Sequence, residues 1–90
     1  MLKVVHGKKE KNFYSLAEAA LIITHNLWGI RVPGIHSETL RRSYRDSGRT
    51  HGMAIGRDIF FAVSDLEALG YQASAESVGI GNLVLLTLED

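Results

Sequence analysis

The sequence predicts one small α+β domain, in which two helices, a β-hairpin and a short helix follow one another between two terminal strands. Three observations predict it. Serine-led capping boxes stand at two places ahead of helical segments, a glycine-containing break separates two short apolar runs, and both ends of the chain are rich in β-favouring residues. Ninety residues suffice for a single domain with a modest core, so residues 1–90 are treated as one unit.

Strands are predicted at both ends of the chain. Residues 2–6 have β character, residues 7–12 are a polar turn, and residues 13–14 predict a short second strand. Residues 83–88 are apolar on both faces, which predicts a buried strand. We expect it to pair with residues 2–6, either inside one molecule or as a self-association edge between two copies.

The first helix begins with a strong local signal. Ser15 and Glu18 form an S-x-x-E capping box, and apolar residues recur behind it at helical spacing. This pattern predicts a helix over residues 16–27, ended by Gly29. Trp28 is interpreted as a core residue beneath the turn that follows.

The second helix follows a break in the chain. Residues 30–35 contain a Pro-Gly pair that excludes a helix, so they are predicted as a loop. Ser37 is a suitable N-cap, and a helix is predicted over residues 38–47. Leu40 and Tyr44 fall on one face of this helix and are its predicted core contacts.

A hairpin and a third helix complete the central part of the chain. Residues 53–55 and 59–63 flank residues 56–58, which predicts a β-hairpin with a three-residue, glycine-containing connection. Residues 64–67 form a second capping box, so a short helix is predicted to begin there and to end at Gly70.

Two helices joined by a turn, then a hairpin and a helix, are the layout of a winged helix-turn-helix. Three segments resemble MerR-like and phage excisionase-like DNA-binding domains: FYSLAEAA over residues 13–20, SETLRR over residues 37–42, and residues 55–69. The resemblance implies that the second helix enters the major groove and that the hairpin is a wing on the backbone or minor groove. The chain then divides into a winged helix-turn-helix core, residues 13–70, and flanking strands, residues 1–12 and 77–90.

The charge distribution is consistent with that implication. The net charge is zero, yet residues 31–57 carry six arginines against Glu38 and Asp46, and residues 58–90 carry no Lys or Arg. Arginine pairs bidentately with guanine in the major groove, and hydroxyl groups donate to phosphates. The predicted DNA-binding residues are Ser37, Thr39, Arg41, Arg42, Arg45, Arg49, His51 and Arg57.

Structural explanations of the same residues stay open. Ser37 is equally well explained as a plain N-cap, and Arg57 as a solvated turn residue. The helix arginines are alternatively solubilising groups or ion-pair partners of Glu38 or Asp46.

The composition excludes several classes of protein. The chain has no cysteine, which excludes disulfide scaffolds, zinc ribbons and thiol catalysis. No apolar run approaches the roughly 18 residues of a membrane-spanning helix, and the first residues lack a signal-peptide stretch, so a cytoplasmic protein is expected. The four histidines have no metal-ligand spacing, and no enzyme motif is present, so we expect no metal, no cofactor and no catalysis.

The predicted function is sequence-specific binding of double-stranded DNA, by a small transcription regulator or an excisionase-like architectural factor associated with the nucleoid. One small domain has a small footprint, so a homodimer or cooperative oligomer is expected, with residues 83–88 as its candidate contact. The alternative is a protein-interaction module that keeps the helix-turn-helix frame without binding DNA.

Overall fold

A computed structural model describes residues 1–74 and, for the backbone, residues 84–88. Within these ranges the chain is a small α+β domain that contains three short helices and is rich in strands. The elements are β1 (Leu2–His6), β2 (Lys9–Ser15), α1 (Leu16–Ile22), β3 (Ile23–Leu27), β4 (Ile30–Pro33), α2 (Ser37–Asp46), β5 (Met53–Ile55), β6 (Asp58–Phe61), α3 (Val63–Ala68), β7 (Gln72–Ala73) and β8 (Val84–Leu88).

The strands form two sheets. The larger sheet has the order β5-β6-β2-β1-β8, and the smaller has the order β4-β3-β7. Strands β1 and β8 pair in parallel, from Leu2 opposite Val84 to His6 opposite Leu88, whereas the other pairs are antiparallel. The predicted pairing of the carboxyl-terminal strand with residues 2–6 is therefore confirmed, and it lies within one chain. The rest of the predicted flank, residues 77–83 and 89–90, lies outside the described residues.

The core lies where the three helices meet the larger sheet. Its largest fully buried side chains come from α1, β3, α2, β6 and α3, so every helix contributes to one cluster. Ala19 and Ala20 are buried in the middle of α1, where small side chains allow close helix packing. Leu40 and Tyr44 are buried as predicted from their spacing. The fully buried large residues are Phe61, Ile22, Ile23, Leu40 and Leu66.

The first capping box is confirmed. The Oγ of Ser15 accepts from the Glu18 backbone N–H at 3.2 Å, and the Glu18 carboxylate accepts from the Ser15 N–H at 3.0 Å. These two bonds satisfy amide groups that an isolated helix start would leave unpaired.

The predicted helix over residues 16–27 is too long. Helix α1 ends at Ile22, and the chain becomes extended at Ile23, with φ −66° and ψ 133°. Ile22, Ile23 and Thr24 are consecutive β-branched residues, which favour a strand over a helix. Strand β3 also has a hydrogen-bonded neighbour on each side, because it pairs with both β4 and β7.

The predicted loop over residues 30–35 is for the most part strand β4. It forms a tight hairpin with β3, in which Leu27 lies opposite Ile30. Gly29 is therefore a hairpin-turn residue and not a helix stop. Pro33 is accommodated because β4 is an edge strand, where a missing N–H donor removes no ladder bond. The interpretation of Trp28 as a core residue is wrong: it stands at the turn, exposed to solvent.

Helix α2 begins one residue earlier than predicted, and its cap is a different residue. His36 is the N-cap, and its Nδ1 accepts from the Glu38 N–H at 3.1 Å. Ser37 is the first helical residue. Histidine serves as the cap here because its ring nitrogen reaches the amide that a serine oxygen normally takes.

Two further strand boundaries differ from the predictions. Strand β2 begins at Lys9, because β1 and β2 pair through a two-residue turn and the charged residues after it continue the ladder. The turn between β5 and β6 also has two residues, Gly56 and Arg57, since Ile55 pairs with Asp58. Gly56 has φ 60°, which glycine adopts without steric cost.

Helix α3 begins at Val63 and not at Ser64. Its first turn is fastened by the Asp65 carboxylate, which accepts from the Ala62 N–H at 2.9 Å. The second predicted capping box is thus out of register by two residues, whereas the predicted end at Gly70 agrees with the helix boundary. No helix in the described part of the chain is both long and apolar enough to cross a membrane.

Candidate nucleic-acid interface

A cleft of about 380 Å³ lies between the start of α1, the amino-terminal half of α2 and the tip of the β5–β6 hairpin. Three of the eight predicted DNA-binding residues line it: Ser37 and Arg41 from α2, and Arg57 from the hairpin tip. We refer to it as the basic cleft. Its lining residues are Ser15, Leu16, Ala17, Ser37, Arg41, Arg57, Asp58 and Ile59.

The core determines which flank of α2 faces the cleft. Leu40 and Tyr44 are buried, so α2 is fixed in rotation about its axis. Ser37 and Arg41 are four residues apart and share one flank. Next to that flank the hairpin is held against α2 by the buried contact between the rings of Tyr44 and Phe61, whose centroids lie 5.6 Å apart. The short turn then places Arg57 at the hairpin tip, opposite α2.

The ion pairs on α2 leave its arginines accessible. Arg41 Nε lies 3.6 Å from the Glu38 carboxylate, and Arg45 Nε lies 3.9 Å from that of Asp46. All four side chains are more than half exposed, and such surface pairs are screened by solvent and contribute little. The ion pairs that the sequence offered as an alternative role for the helix arginines are therefore present, but neither pair buries its guanidinium group.

Arg57 and Asp58 are adjacent in the cleft wall, so two guanidinium groups share the cleft with one carboxylate. Within residues 1–74, the side chains of Arg42, Arg49 and Arg57 form no ion pair with another described residue. Helix α2 and the hairpin tip together carry four arginines against the three carboxylates of Glu38, Asp46 and Asp58, so this surface keeps one net positive charge.

The other predicted residues lie outside the cleft. Thr39, Arg42 and Arg45 are exposed elsewhere on α2. Arg49 follows the helix with a left-handed φ of 61°, and His51 is half-buried ahead of β5. The structure thus gathers Ser37, Arg41 and Arg57, places three more on the same helix, and puts the last two in the segment that leads to the hairpin.

The hydroxyl of Ser37 is available for another partner. The capping bond that the sequence assigns to it is made by His36, and Ser37 forms no side-chain hydrogen bond within the described residues. A hydroxyl at the first position of a ten-residue helix, beside Arg41, can donate to a phosphate oxygen.

Sequence reasoning missed two features of the cleft. It omitted the α1 start, because Ser15 is fully explained as a cap. It also omitted Asp58, which was predicted only as part of the hairpin turn. Arg31, counted in the basic middle, points to a different place: its guanidinium donates to Thr24 Oγ1 at 3.3 Å and to Gln72 Oε1 at 2.8 Å.

The α1 start is also fixed by Glu18. Its carboxylate accepts from the Met1 amine at 2.7 Å and from Ser15. Partial burial alone would raise the pKa of Glu18, but these hydrogen bonds and the positive charge outweigh it, so its pKa lies below the ordinary value. The ionised carboxylate therefore stabilises the helix start that forms one wall of the cleft.

A second exposed feature lies at the tip of the β3–β4 hairpin. Trp28 is 95% exposed, Ile30 67% and Leu27 51%. We call these three residues the apolar tip. Contiguous apolar side chains on a surface often mark a contact site, in contrast to single exposed ones.

The described residues contain no group of three or more His, Cys, Asp or Glu side chains arranged to hold a metal ion. The polar side chains that line the basic cleft are the guanidinium groups of Arg41 and Arg57, the hydroxyls of Ser15 and Ser37, and the Asp58 carboxylate. Comparison of the chain with protein-family models, with curated proteins and with solved structures finds no significant match.

Proposed function

We propose that this protein binds double-stranded DNA through α2 and the β5–β6 hairpin, in the manner of a winged helix-turn-helix. The observation that supports the proposal is the basic cleft, where Arg41 from a helix and Arg57 from a hairpin tip line one concave surface. Donors from two elements on one surface match a ligand that is itself extended and charged.

The dimensions of α2 suit a major groove. Ten residues span about 15 Å, and a helix fits the groove's width of about 12 Å. Arg41, Arg42 and Arg45 are exposed along it and can pair with guanine edges, while Ser37 and Thr39 near its start can donate to phosphates. Arg57 then follows the adjoining backbone or minor groove.

The role that fits is a small transcription regulator or an excisionase-like architectural factor, acting in the cytoplasm on the nucleoid. It requires binding and no covalent chemistry. A single domain covers few base pairs, so we propose that it acts as a homodimer or a cooperative oligomer on repeated sites. The outer edge of β8 is one candidate contact, since β8 ends the five-stranded sheet on that side.

A protein-interaction module on the same frame is the second candidate. The apolar tip favours it, because exposed aromatic and aliphatic side chains often contact proteins. A stoichiometric protein recovered with the chain from its source cell, together with absent DNA binding, would establish this function instead.

The deciding experiment is a binding titration with random and genomic duplexes. The variant pair Arg41→Ala and Arg57→Ala removes both guanidinium groups of the basic cleft. The control pair Lys8→Ala and Lys9→Ala removes the same charge from the exposed start of β2 and its preceding turn. We expect the cleft pair to weaken binding at least tenfold and the control pair to change it less than about threefold. Equal affinities of the cleft pair and the parent, or no binding by the parent at low salt, would refute the proposal.

A further inference from the structure

The sequence of the apolar tip is unusual for the left-handed backbone conformation of its turn. The two turn residues, Trp28 and Gly29, have φ of 51° and 82°, a pair of left-handed conformations for which Asn-Gly is the favoured sequence. Tryptophan at the first position is therefore disfavoured by the backbone and also fully exposed to water. Neither folding nor solubility explains it, which points to a contact.

The base of this hairpin is firmly tied to the domain. Gly34 N–H donates to Ile23 O at 2.6 Å, and Ile35 N–H donates to Ala20 O at 2.9 Å. Strand β7 pairs with β3, and Arg31 bridges from β4 to Gln72 of β7. The indole is thus carried on a hydrogen-bonded support, so little ordering is needed when it meets a partner.

The support lies on the side of α2 away from the basic cleft. Arg41 and Ser43 are about 160° apart around the helix axis. Arg41 lines the basic cleft, whereas Ser43 Oγ lies 2.6 Å from the hydroxyl of Tyr71, the residue directly before β7. Because Tyr71 leads into β7 and β7 pairs with β3, the flank of α2 opposite Arg41 faces the sheet that carries the apolar tip.

Charge and shape indicate the kind of partner. Residues 19–37 contain no Asp or Glu, and their charged and titratable side chains are Arg31, His25 and His36. A narrow protruding tip needs a concave partner, and the absence of carboxylates favours a polyanion. The minor groove of DNA has both properties, and proteins that enter it insert apolar side chains between base steps.

We propose that the β3–β4 hairpin is a second DNA-contacting element, which inserts Trp28 into the minor groove next to the major-groove site of α2. The indole would press against a base step and bend the duplex, with Leu27 and Ile30 packing against the groove walls. This inference rests on the proposed function. It adds to the same protein–DNA complex a second contact, made by Trp28 in the minor groove.

The chain has a single tryptophan, so its fluorescence reports on this contact alone. The indole emission is recorded during titration with a duplex of about 25 base pairs, in parallel with energy transfer between dyes at the duplex ends. We expect a blue shift, reduced quenching by acrylamide and a shorter end-to-end distance. An unshifted emission at saturating DNA would overturn the inference.

The matching variant is Trp28→Asn, which creates the favoured Asn-Gly turn and therefore keeps the hairpin. The control is Leu21→Ala, which removes an exposed apolar side chain from α1. We expect Trp28→Asn to bind about tenfold more weakly and to bend the duplex less, and Leu21→Ala to match the parent.

The outcomes separate this inference from the proposed function. If the cleft pair weakens binding but Trp28→Asn binds and bends like the parent, the hairpin proposal is overturned and DNA binding stands. If the parent binds no duplex, both are overturned. The hairpin proposal also fails if indole emission shifts only with phosphatidylserine vesicles, or if Trp28→Asn acts only by turning a dimer into a monomer in sedimentation.

Discussion

The ring of Tyr44 meets the ring of Phe61 edge to face, at an interplanar angle of 88°, and this contact joins α2 to the strand that leads back from Arg57. Both side chains are buried, so the contact belongs to the core and supports from below the two elements that carry the proposed interface. The spacing between the helix and the hairpin is set by two aromatic rings and not by the polar groups of the cleft.

The contact between the Tyr44 and Phe61 rings is most sensitive to a substitution at Gly52. A Cβ there would lie 2.8 Å from Tyr44 Cε1 and 3.1 Å from Phe61 Cε1. We therefore expect Gly52→Ala to lower the free energy of unfolding by about 1–3 kcal/mol, as overpacking does in a tight core. We also expect weaker DNA binding, because the hairpin must move away from α2.

The control is Gly29→Asn. A Cβ at Gly29 meets nothing within 4 Å, and asparagine tolerates the left-handed backbone. Urea unfolding of both variants decides the matter: equal loss of stability would show that the aromatic contact is not tight.

The two neighbouring residues His36 and Ser37 have different expected roles: His36 caps α2, and Ser37 contacts DNA. His36→Ala removes the side chain that caps α2, so we expect a loss of roughly 0.5–1 kcal/mol of stability. Ser37→Ala removes a hydroxyl that makes no bond within the described residues, so we expect unchanged stability and several-fold weaker DNA binding. Thermal melting and DNA titration of the two variants provide the test, and the reverse pattern would mean that serine is the cap.

The salt dependence of binding measures the phosphate contacts. Neutralising about five phosphates gives a slope of log K against log salt near −4 to −5. Arg57→Ala should make this slope less steep by about 1, whereas Arg57→Lys, which keeps the charge, should retain it. A nearly flat slope for the parent, or an unchanged slope in Arg57→Ala, would contradict a phosphate contact at the hairpin tip.

Glu18 predicts a stability change in acid. Because its folded pKa is below the ordinary value of 4.5, its contribution is complete above that pH and is lost as the pH falls through the folded pKa. Glu18→Gln should therefore lose less stability than the parent between pH 6 and about pH 3. Urea unfolding at both pH values provides the comparison, and parallel losses would show that the Glu18 pKa is not lowered.

Local signals predicted the parts of the fold that local bonds create. The Ser15–Glu18 capping box spans four residues, and both of its bonds are present. The spacing of Leu40 and Tyr44 identified the buried face of α2. The predicted helix over residues 16–27 failed because apolar residues at its far end fit helical spacing equally well, while the competing strand depends on β7, some fifty residues away.

The sequence predicted some of the residues of the candidate site, but it did not predict which of them lie together. The resemblance to winged domains selected Ser37, Arg41 and Arg57, which line one cleft, together with Arg49 and His51, which lie outside it. Trp28 was misinterpreted because tryptophan usually contributes to a core. The Trp-Gly pair between two alternating runs was the available signal for a hairpin turn, but it lacks the Asn or Asp that normally marks one.

The bonds from Gly34 to Ile23 and from Ile35 to Ala20 have a wider consequence. They close the base of the β3–β4 hairpin beside the end of α1. The position of α2 relative to α1 therefore does not depend on the number of residues in the hairpin. That stretch can lengthen, shorten or exchange its outermost residues while the helical pair stays in place. A change confined to this hairpin can therefore give the domain a different binding partner, while the packing of α1 against α2 stays the same.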